Sequence, residues 1–227
     1  MPKNVVAIIL ARGGSKGIKN KNILKINGRP LIYWSIKTCL NSKKINSVWV
    51  SSDNNEILNL ANKFGANPIK RPKRISGDNS SSEKAWLHSI KFIQKNYDIK
   101  IDTVVGVQPT SPIRPKKSMD KALNFFYEKK FDSLFTSQKT SDYFVWKKLN
   151  RKIKANYNYK KRPMRQKIKN NYLENGSFYI FDSKKFLKKK CRLFGNIGNF
   201  EMKKIYSFQI DEKEDIQIIN NLKRHFQ

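Results

Sequence analysis

Cysteine and histidine are almost missing from this chain of 227 residues, which has two of each. Cys39 and Cys191 lie far apart and His88 and His225 are isolated, so no Cys/His spacing suited to a metal is present. The thiols are read as reduced and structural. No Ser/His/Asp or Cys/His nucleophile arrangement stands out, and a covalent intermediate is not expected. Long apolar runs are lacking as well. The longest near the start, Val5 to Leu10, is flanked by Lys3 and Arg12 and is too short for a membrane span or a signal-peptide core. These shortages point to a cytoplasmic protein with no membrane partner.

Acidic residues are the third shortage. Seventeen Asp and Glu against 48 Lys and Arg leave a net charge of +31. A field of that strength draws polyanions from a distance, and one reading is a basic nucleic-acid-binding protein. The lysines, however, run through every segment with only local clusters such as Lys188-Lys189-Lys190. There is neither a basic tail nor a basic-aromatic module that reads RNA. The charge is therefore read as a lysine-rich bias on solvated faces, useful for capturing a phosphate-rich substrate, with no specific nucleic acid expected.

What is present is an alternation of strand and helix signals. Val5 to Leu10 is an unbroken apolar run, as expected of a strand buried on both faces. Helical spacing follows over Leu31 to Leu40, a strand over Ser47 to Ser52, and a helix over Asn54 to Phe64 ending at Gly65. Ser81 to Tyr97 reads as a longer amphipathic helix, Thr103 to Gln108 as a strand, Met119 to Lys130 as a helix and Ser133 to Ser137 as a strand. Beyond that, Tyr143 to Leu149 and Gly176 to Phe181 read as strands around a basic, irregular stretch from Arg151 to Tyr172. Ile205 to Ile210 reads as a last strand and Glu212 to Phe226 as a closing helix. This rhythm predicts an α/β fold: one Rossmann-like, mainly parallel sheet with helices on both faces, spanning 1–227 as a single domain. Ligands then bind beyond the carboxyl ends of the strands, after Leu10, Ser52, Gln108 and Ile210.

The segment after the first strand is Leu10 to Asn22, LARGGSKGIKNKN. Gly13, Gly14 and Gly17 let backbone amides approach a ligand, while Arg12, Lys16, Lys19 and Lys21 add positive charge to the same loop. The glycine spacing matches neither a Walker A loop nor the dinucleotide fingerprint, yet glycines and cations after a first strand suit a triphosphate. This segment resembles the first motif of the CMP-sialic acid synthetases, or acylneuraminate cytidylyltransferases. The resemblance continues through Pro30-Leu31-Ile32, SVWVSSD at Ser47 to Asp53, Glu56 to Ala66, Arg71 and GDNSSS at Gly77 to Ser82. QPTSP at Gln108 to Pro112, KRPMRQ at Lys161 to Gln166 and YLENGSFYI at Tyr172 to Ile180 follow in family order. The 3-deoxy-manno-octulosonate cytidylyltransferases share the fold and first motif and supply an alternative sugar.

The resemblance implies roles. Catalysis falls to Arg12, Lys21, Arg165 and Asp211, with Arg12 and Lys21 neutralising the departing pyrophosphate. Leu10, Ala11, Arg12, Gly13, Gly14 and Ser15 line the nucleotide, and Asn22, Arg71, Ser80 and Ser82 surround the cytidine. Amide, hydroxyl and guanidinium groups can pair with every polar edge of cytosine, although Ser80 to Ser82 equally suit a helix N-cap ahead of Glu83. Gln108, Arg165 and Tyr179 are placed against the sugar, whose carboxylate calls for an arginine fork. Mg²⁺ is implied near the C-terminus. The family pattern there is Asp-Ile-Asp, whereas this chain reads Gln209-Ile210-Asp211, leaving Asp211 and the carbonyl of Gln209 as metal ligands. If Ile205 to Ile210 is a strand, alternation puts residue 209 and Asp211 on one face. Asp211 also suits an N-cap before Glu212. The stretch at about 140–172 resembles the family's dimerisation insert, with Tyr143, Phe144, Trp146, Tyr157 and Tyr159 available to a second subunit. The implied activity joins CMP from CTP to a nonulosonic acid by direct attack of the sugar hydroxyl on the α-phosphate. A catalytically silent relative remains the third alternative, because of Gln209.

Overall fold

The computed structural model describes residues 3–15, 17–140, 144–150, 152–168 and 171–226. Lys16 and Tyr143, named above, lie outside the described residues, as does the side chain of Arg165.

The strands are β1 (Val5–Leu10), β2 (Lys25–Ile26), β3 (Arg29–Pro30), β4 (Ser47–Ser52), β5 (Asn67–Lys70), β6 (Thr103–Val107), β7 (Ser133–Thr140), β8 (Trp146–Leu149), β9 (Lys152–Ala155), β10 (Asn171–Asp182) and β11 (Ile197–Glu201). The helices are α1 (Leu31–Leu40), α2 (Asn55–Lys63), α3 (Ser82–Tyr97), α4 (Ser118–Glu128), α5 (Ser183–Lys189) and α6 (Lys213–Asn221). Among the described residues, seven strands form one sheet in the order β11-β7-β10-β6-β1-β4-β5. The pairs β1/β4, β1/β6, β4/β5 and β7/β11 are parallel, and β10 runs antiparallel to both β6 and β7.

Strand β1 shows why the sheet is covered twice. Val5, Ala7 and Ile9 enter a core with side chains of α1, α2 and α4, while Val6 and Ile8 enter a second core with Trp86, Ile90 and Ile93 of α3. Burying an aliphatic side chain of this size stabilises by about 1.5–3 kcal/mol, and neither face of the strand can be left to water. Cys39 of α1 is fully buried in the first core, and that burial pushes its thiol up to about 12.

The local chemistry agrees with the element ends. The Asn54 side chain accepts from the amides of Glu56 and Ile57 to start α2, and Gly65 follows that helix at φ +85°. Asn27 and Gly28, at φ 48° and 76°, turn β2 into β3.

One expected strand is absent. Residues 205–210 form the end of a 3-10 turn (Lys204–Tyr206) and then a stretch outside any ladder. The edge beyond β7 is taken by β11, and Tyr206, Phe208 and Ile210 pack instead in a third apolar cluster with Ile18, Leu31 and Trp34. The alternation argument linking residue 209 to Asp211 therefore has no strand to rest on. β5 and β11 went unread because they are short, polar edge strands; Pro68 is tolerated in β5 because an edge strand leaves one side of the ladder unpaired. The short helix α5, capped by Asp182, was unread as well.

Candidate active site

A cavity of about 260 Å³ opens where the carboxyl ends of β1 and β6 meet the start of α3. Leu10, Arg12, Ser15, Lys21, Asn22, Arg71, Ser80, Ser82 and Gln108 line it, with Asp78, Ser81, Pro109 and Thr110. Most of the nucleotide residues named from the sequence thus converge on one cleft.

The loop after β1 is held from three sides. The amide of Gly13 donates to Asp53 Oδ1 at 2.9 Å. Asn22, buried, donates through Nδ2 to the Arg12 carbonyl at 2.9 Å. Gly17 packs so closely beneath the Asp211 carbonyl oxygen that an added Cβ would collide with it. The Lys21 ammonium donates to the Ile210 carbonyl at 2.8 Å and to Asp211 Oδ1 at 3.0 Å, which uses two of its three N–H groups. Arg12 Nη1 pairs with Asp78 Oδ1 at 2.6 Å near the mouth. Ala11 is buried, its amide donating to the Ser51 carbonyl at 3.0 Å, and nothing lies within 4 Å of the Cβ position of Gly14.

Arg71 is the most informative side chain. It follows β5, its amide bonds the Ser52 carbonyl at 2.8 Å, and only 5% of it is exposed. Nε and Nη2 are buried without a hydrogen-bond partner. Burial lowers its pKa, a tendency opposed by Asp53 and reinforced by Arg12. Leaving buried guanidinium donors unpaired costs on the order of 1–3 kcal/mol, so an acceptor entering the cleft is rewarded by that amount. Ser81, rather than its neighbours, caps α3 by accepting from the Lys84 amide, which leaves Ser80 and Ser82 on the cavity wall.

The opposite rim carries the Gln108 amide, and a second amide, Gln209, stands behind it across Gly176. Gln108 follows β6 and lines the cavity. Gln209 Nε2 donates to the Asn175 carbonyl at 2.7 Å. Tyr179 does not line the cleft: it is buried in the second core beside Trp86, and its hydroxyl donates to Glu174. Burial, then Glu174, raises that hydroxyl to about 12. Asp211 does not cap α6; Glu212 does, in a reciprocal box with Asp215.

Among the described residues no group of three or more His, Cys, Asp or Glu side chains could hold a metal ion. Asp211, an exposed carboxylate, is tied to the cavity through Lys21, which lines it, while the carboxylate on the wall itself, Asp78, is paired with Arg12. Mg²⁺ keeps several waters and takes one or two carboxylates together with substrate phosphates, so a single aspartate suits it.

Sequence reasoning missed Asp53, Asp78, Asn175 and Arg114. Arg114 is 3% exposed and donates to the hydroxyls of Ser177 and Ser35 and to the carbonyls of Gln108 and Ser177, at 2.8–3.1 Å. Burial lowers its pKa to about 10. An Asn-Gly pair inside a strand pattern, as at Asn175-Gly176, is the available signal for a bulge.

No helix among the described residues is long and apolar enough to cross a membrane. A family profile described as "Cytidylyltransferase" matches residues 6–226. The chain is 36% identical over 214 residues to N-acylneuraminate cytidylyltransferase A of Danio rerio, covering 92% of this chain and 48% of that protein. It therefore spans about half the length of that relative. It is also 31% identical over 223 residues to a pseudaminic acid cytidylyltransferase of Campylobacter jejuni, covering 93% of both. Among solved structures, a CMP:2-keto-3-deoxy-manno-octonic acid synthetase complexed with CTP aligns with TM-score 0.72, covering 98% of this chain and 99% of that one. At 17% identity this last likeness concerns the fold alone.

Proposed function

Because the chain belongs to the cytidylyltransferase family that includes the N-acylneuraminate and pseudaminic acid enzymes, we propose that it transfers CMP from CTP to a nonulosonic acid and releases pyrophosphate. The observation that carries this reading is buried Arg71, two of its nitrogens unpartnered, in a cleft whose mouth holds Arg12 and Lys21. The first feature suits the polar edge of a base; the second suits a triphosphate.

In this reading the anomeric hydroxyl of the sugar attacks the α-phosphorus in line and pyrophosphate leaves. The protein supplies positioning and charge neutralisation rather than a nucleophile. Lys21 directs its remaining N–H at a phosphate oxygen, and Arg12 exchanges Asp78 for the leaving group. Arg71, Asn22, Ser80 and Ser82 hold the cytosine ring, and a site pairing with its amino group rejects uracil. Asp211 is the residue that would hold Mg²⁺, and the ion would supply neutralisation of phosphate charge and a lowered pKa for the attacking hydroxyl.

The reading extends to a cytoplasmic homodimer. The hairpin of β8 and β9 is exposed along nearly its whole length, including Trp146, Leu149 and Ile153. A lone two-stranded hairpin is marginal in water, so a second subunit is its natural cover. Arg165, in the 3-10 turn after this hairpin, then serves the sugar of the partner's site. Mixing Lys21→Ala with Arg165→Ala subunits restores activity if sites are shared; no gain over either variant alone removes the sharing.

The decisive experiment is pyrophosphate release from CTP with N-acetylneuraminate, legionaminate and pseudaminate, using UTP, ATP and 3-deoxy-manno-octulosonate as controls. Turnover with CTP and at least one nonulosonic acid is expected. Turnover with octulosonate alone, or with none, overturns the reading.

A further inference from the structure

The bulge in β10 has an arrangement of its own. Between Glu174↔Ser137 and Tyr179↔Phe135 the strand has four intervening residues against one, Thr136, on β7. The excess pushes Asn175 and Gly176 out of the ladder. Asn175 is buried, and each polar atom of its side chain is tied down. Its Nδ2 donates to Ser207 Oγ at 3.0 Å, while Oδ1 accepts from the Ser177 amide at 3.2 Å and lies 2.6 Å from Thr136 Oγ1. Its carbonyl holds Gln209 Nε2 at 2.7 Å. Gly176, at φ +61°, lies against two amides at once: a Cβ there would be 3.0 Å from Gln108 Oε1 and 3.3 Å from Gln209 Nε2.

Resting on the reading above, we propose that Gln209 is a sugar-reading residue rather than a metal ligand, paired with Gln108 and held in place by the Asn175–Gly176 bulge. The chemistry of the carbonyl contact carries this. A carboxylate at position 209 would set two acceptors against each other at the Asn175 carbonyl, where an amide donates. With Nε2 engaged at that carbonyl, the acceptor that Gln209 has left to offer is its neutral Oε1. Together with Gln108 it suits a hydroxyl or acylamino substituent of the sugar, which carries N–H and O–H donors. Asn175 is a positioning residue that acts through Gln209, and the metal is left to Asp211 and the phosphates.

Steady-state kinetics and direct sugar binding test this. For Gln209→Ala, sugar KM rises about tenfold, the factor expected when a buried partner loses a neutral hydrogen bond. CTP KM stays within about twofold and the Mg²⁺ half-saturation is unchanged. Calorimetry of the sugar with a non-reacting α,β-methylene analogue of CTP shows an affinity loss of the same factor. Gln209→Asp also raises sugar KM and leaves Mg²⁺ half-saturation where it was. Asn175→Asp, which removes the donor to Ser207, moves sugar KM in the same direction with CTP KM unmoved, and the Gln209 variants carry the test if it fails to fold. Tighter Mg²⁺ in Gln209→Asp, or unaltered sugar KM and affinity in Gln209→Ala, overturns the inference. A wild-type chain that turns over CTP with no nonulosonic acid overturns the functional reading itself, and the inference with it.

Discussion

Two arginines are buried to almost the same degree in this molecule, one on the wall of the cleft and one behind its rim. Arg71 and Arg114 are 5% and 3% exposed. Arg114 has four hydrogen bonds that tie α1, the loop after β6 and the β10 bulge together. Arg71 has two nitrogens with nothing to bond. Burial depth alone therefore says nothing about role. A satisfied guanidinium is a staple, whereas an unsatisfied one stores a desolvation cost that a ligand relieves.

The contrast can be broken by experiment. Arg114→Leu leaves hydroxyls and carbonyls of Ser35, Gln108 and Ser177 facing an apolar side chain, and it should cost about 4 kcal/mol, or roughly 10 °C in melting temperature. A variant that melts like the wild type would erase the distinction. Arg71→Leu should weaken CTP binding by about 2 kcal/mol in calorimetry while leaving the melting temperature of the free protein unchanged or raised. If the free protein instead melts far lower, Arg71 is structural too.

Finer tests follow from the surroundings. In Gly17→Ala the new methyl meets the Asp211 carbonyl, so the phosphate loop shifts; stability falls by about 1–2 kcal/mol and CTP KM rises. The smallest effect belongs to the partner of a third arginine, one more exposed than either. Arg192 lies over the rings of Trp86 and Tyr179 and bonds Glu83 at 2.6 Å. Burial acts upward on the Glu83 carboxyl, but the Arg192 hydrogen bond and charge bring it below its usual range. A depressed carboxyl contributes stability that is complete above the unfolded pKa, about 4.3, and is lost as pH falls through the folded value. Glu83→Gln should thus cost under about 1 kcal/mol at neutral pH and flatten the decline of melting temperature below about pH 4.

Much of the frame was legible because β1, β4 and β6 are buried on both faces: β1 reads as a continuous apolar run, and β4 and β6 carry β-branched and aromatic residues around an apolar centre. The nucleotide wall was legible because its glycines, cations and serines lie in short sequence motifs that the fold keeps intact. The rest depends on partners distant in sequence. Asp78 meets Arg12 across 66 positions, and Arg114 meets Ser35 across 79. Residues 205–210 look like a strand by composition, but a sheet edge must be open to receive one, and β11 already holds that place. Tyr179 stands within a segment whose motif suggests a ligand, yet its ring belongs to the core against Trp86. Periodicity cannot report which face of a central strand meets the cleft.

The two thiols differ in a usable way. Cys191 is exposed, whereas Cys39 is fully buried with its thiol raised to about 12, and only thiolates attack alkylating reagents. The unmodified chain should therefore accept one maleimide or iodoacetamide label under native conditions and two after denaturation. The rate at which the second label appears then clocks how often α1 lifts from the sheet, a stability gauge that requires no substitution.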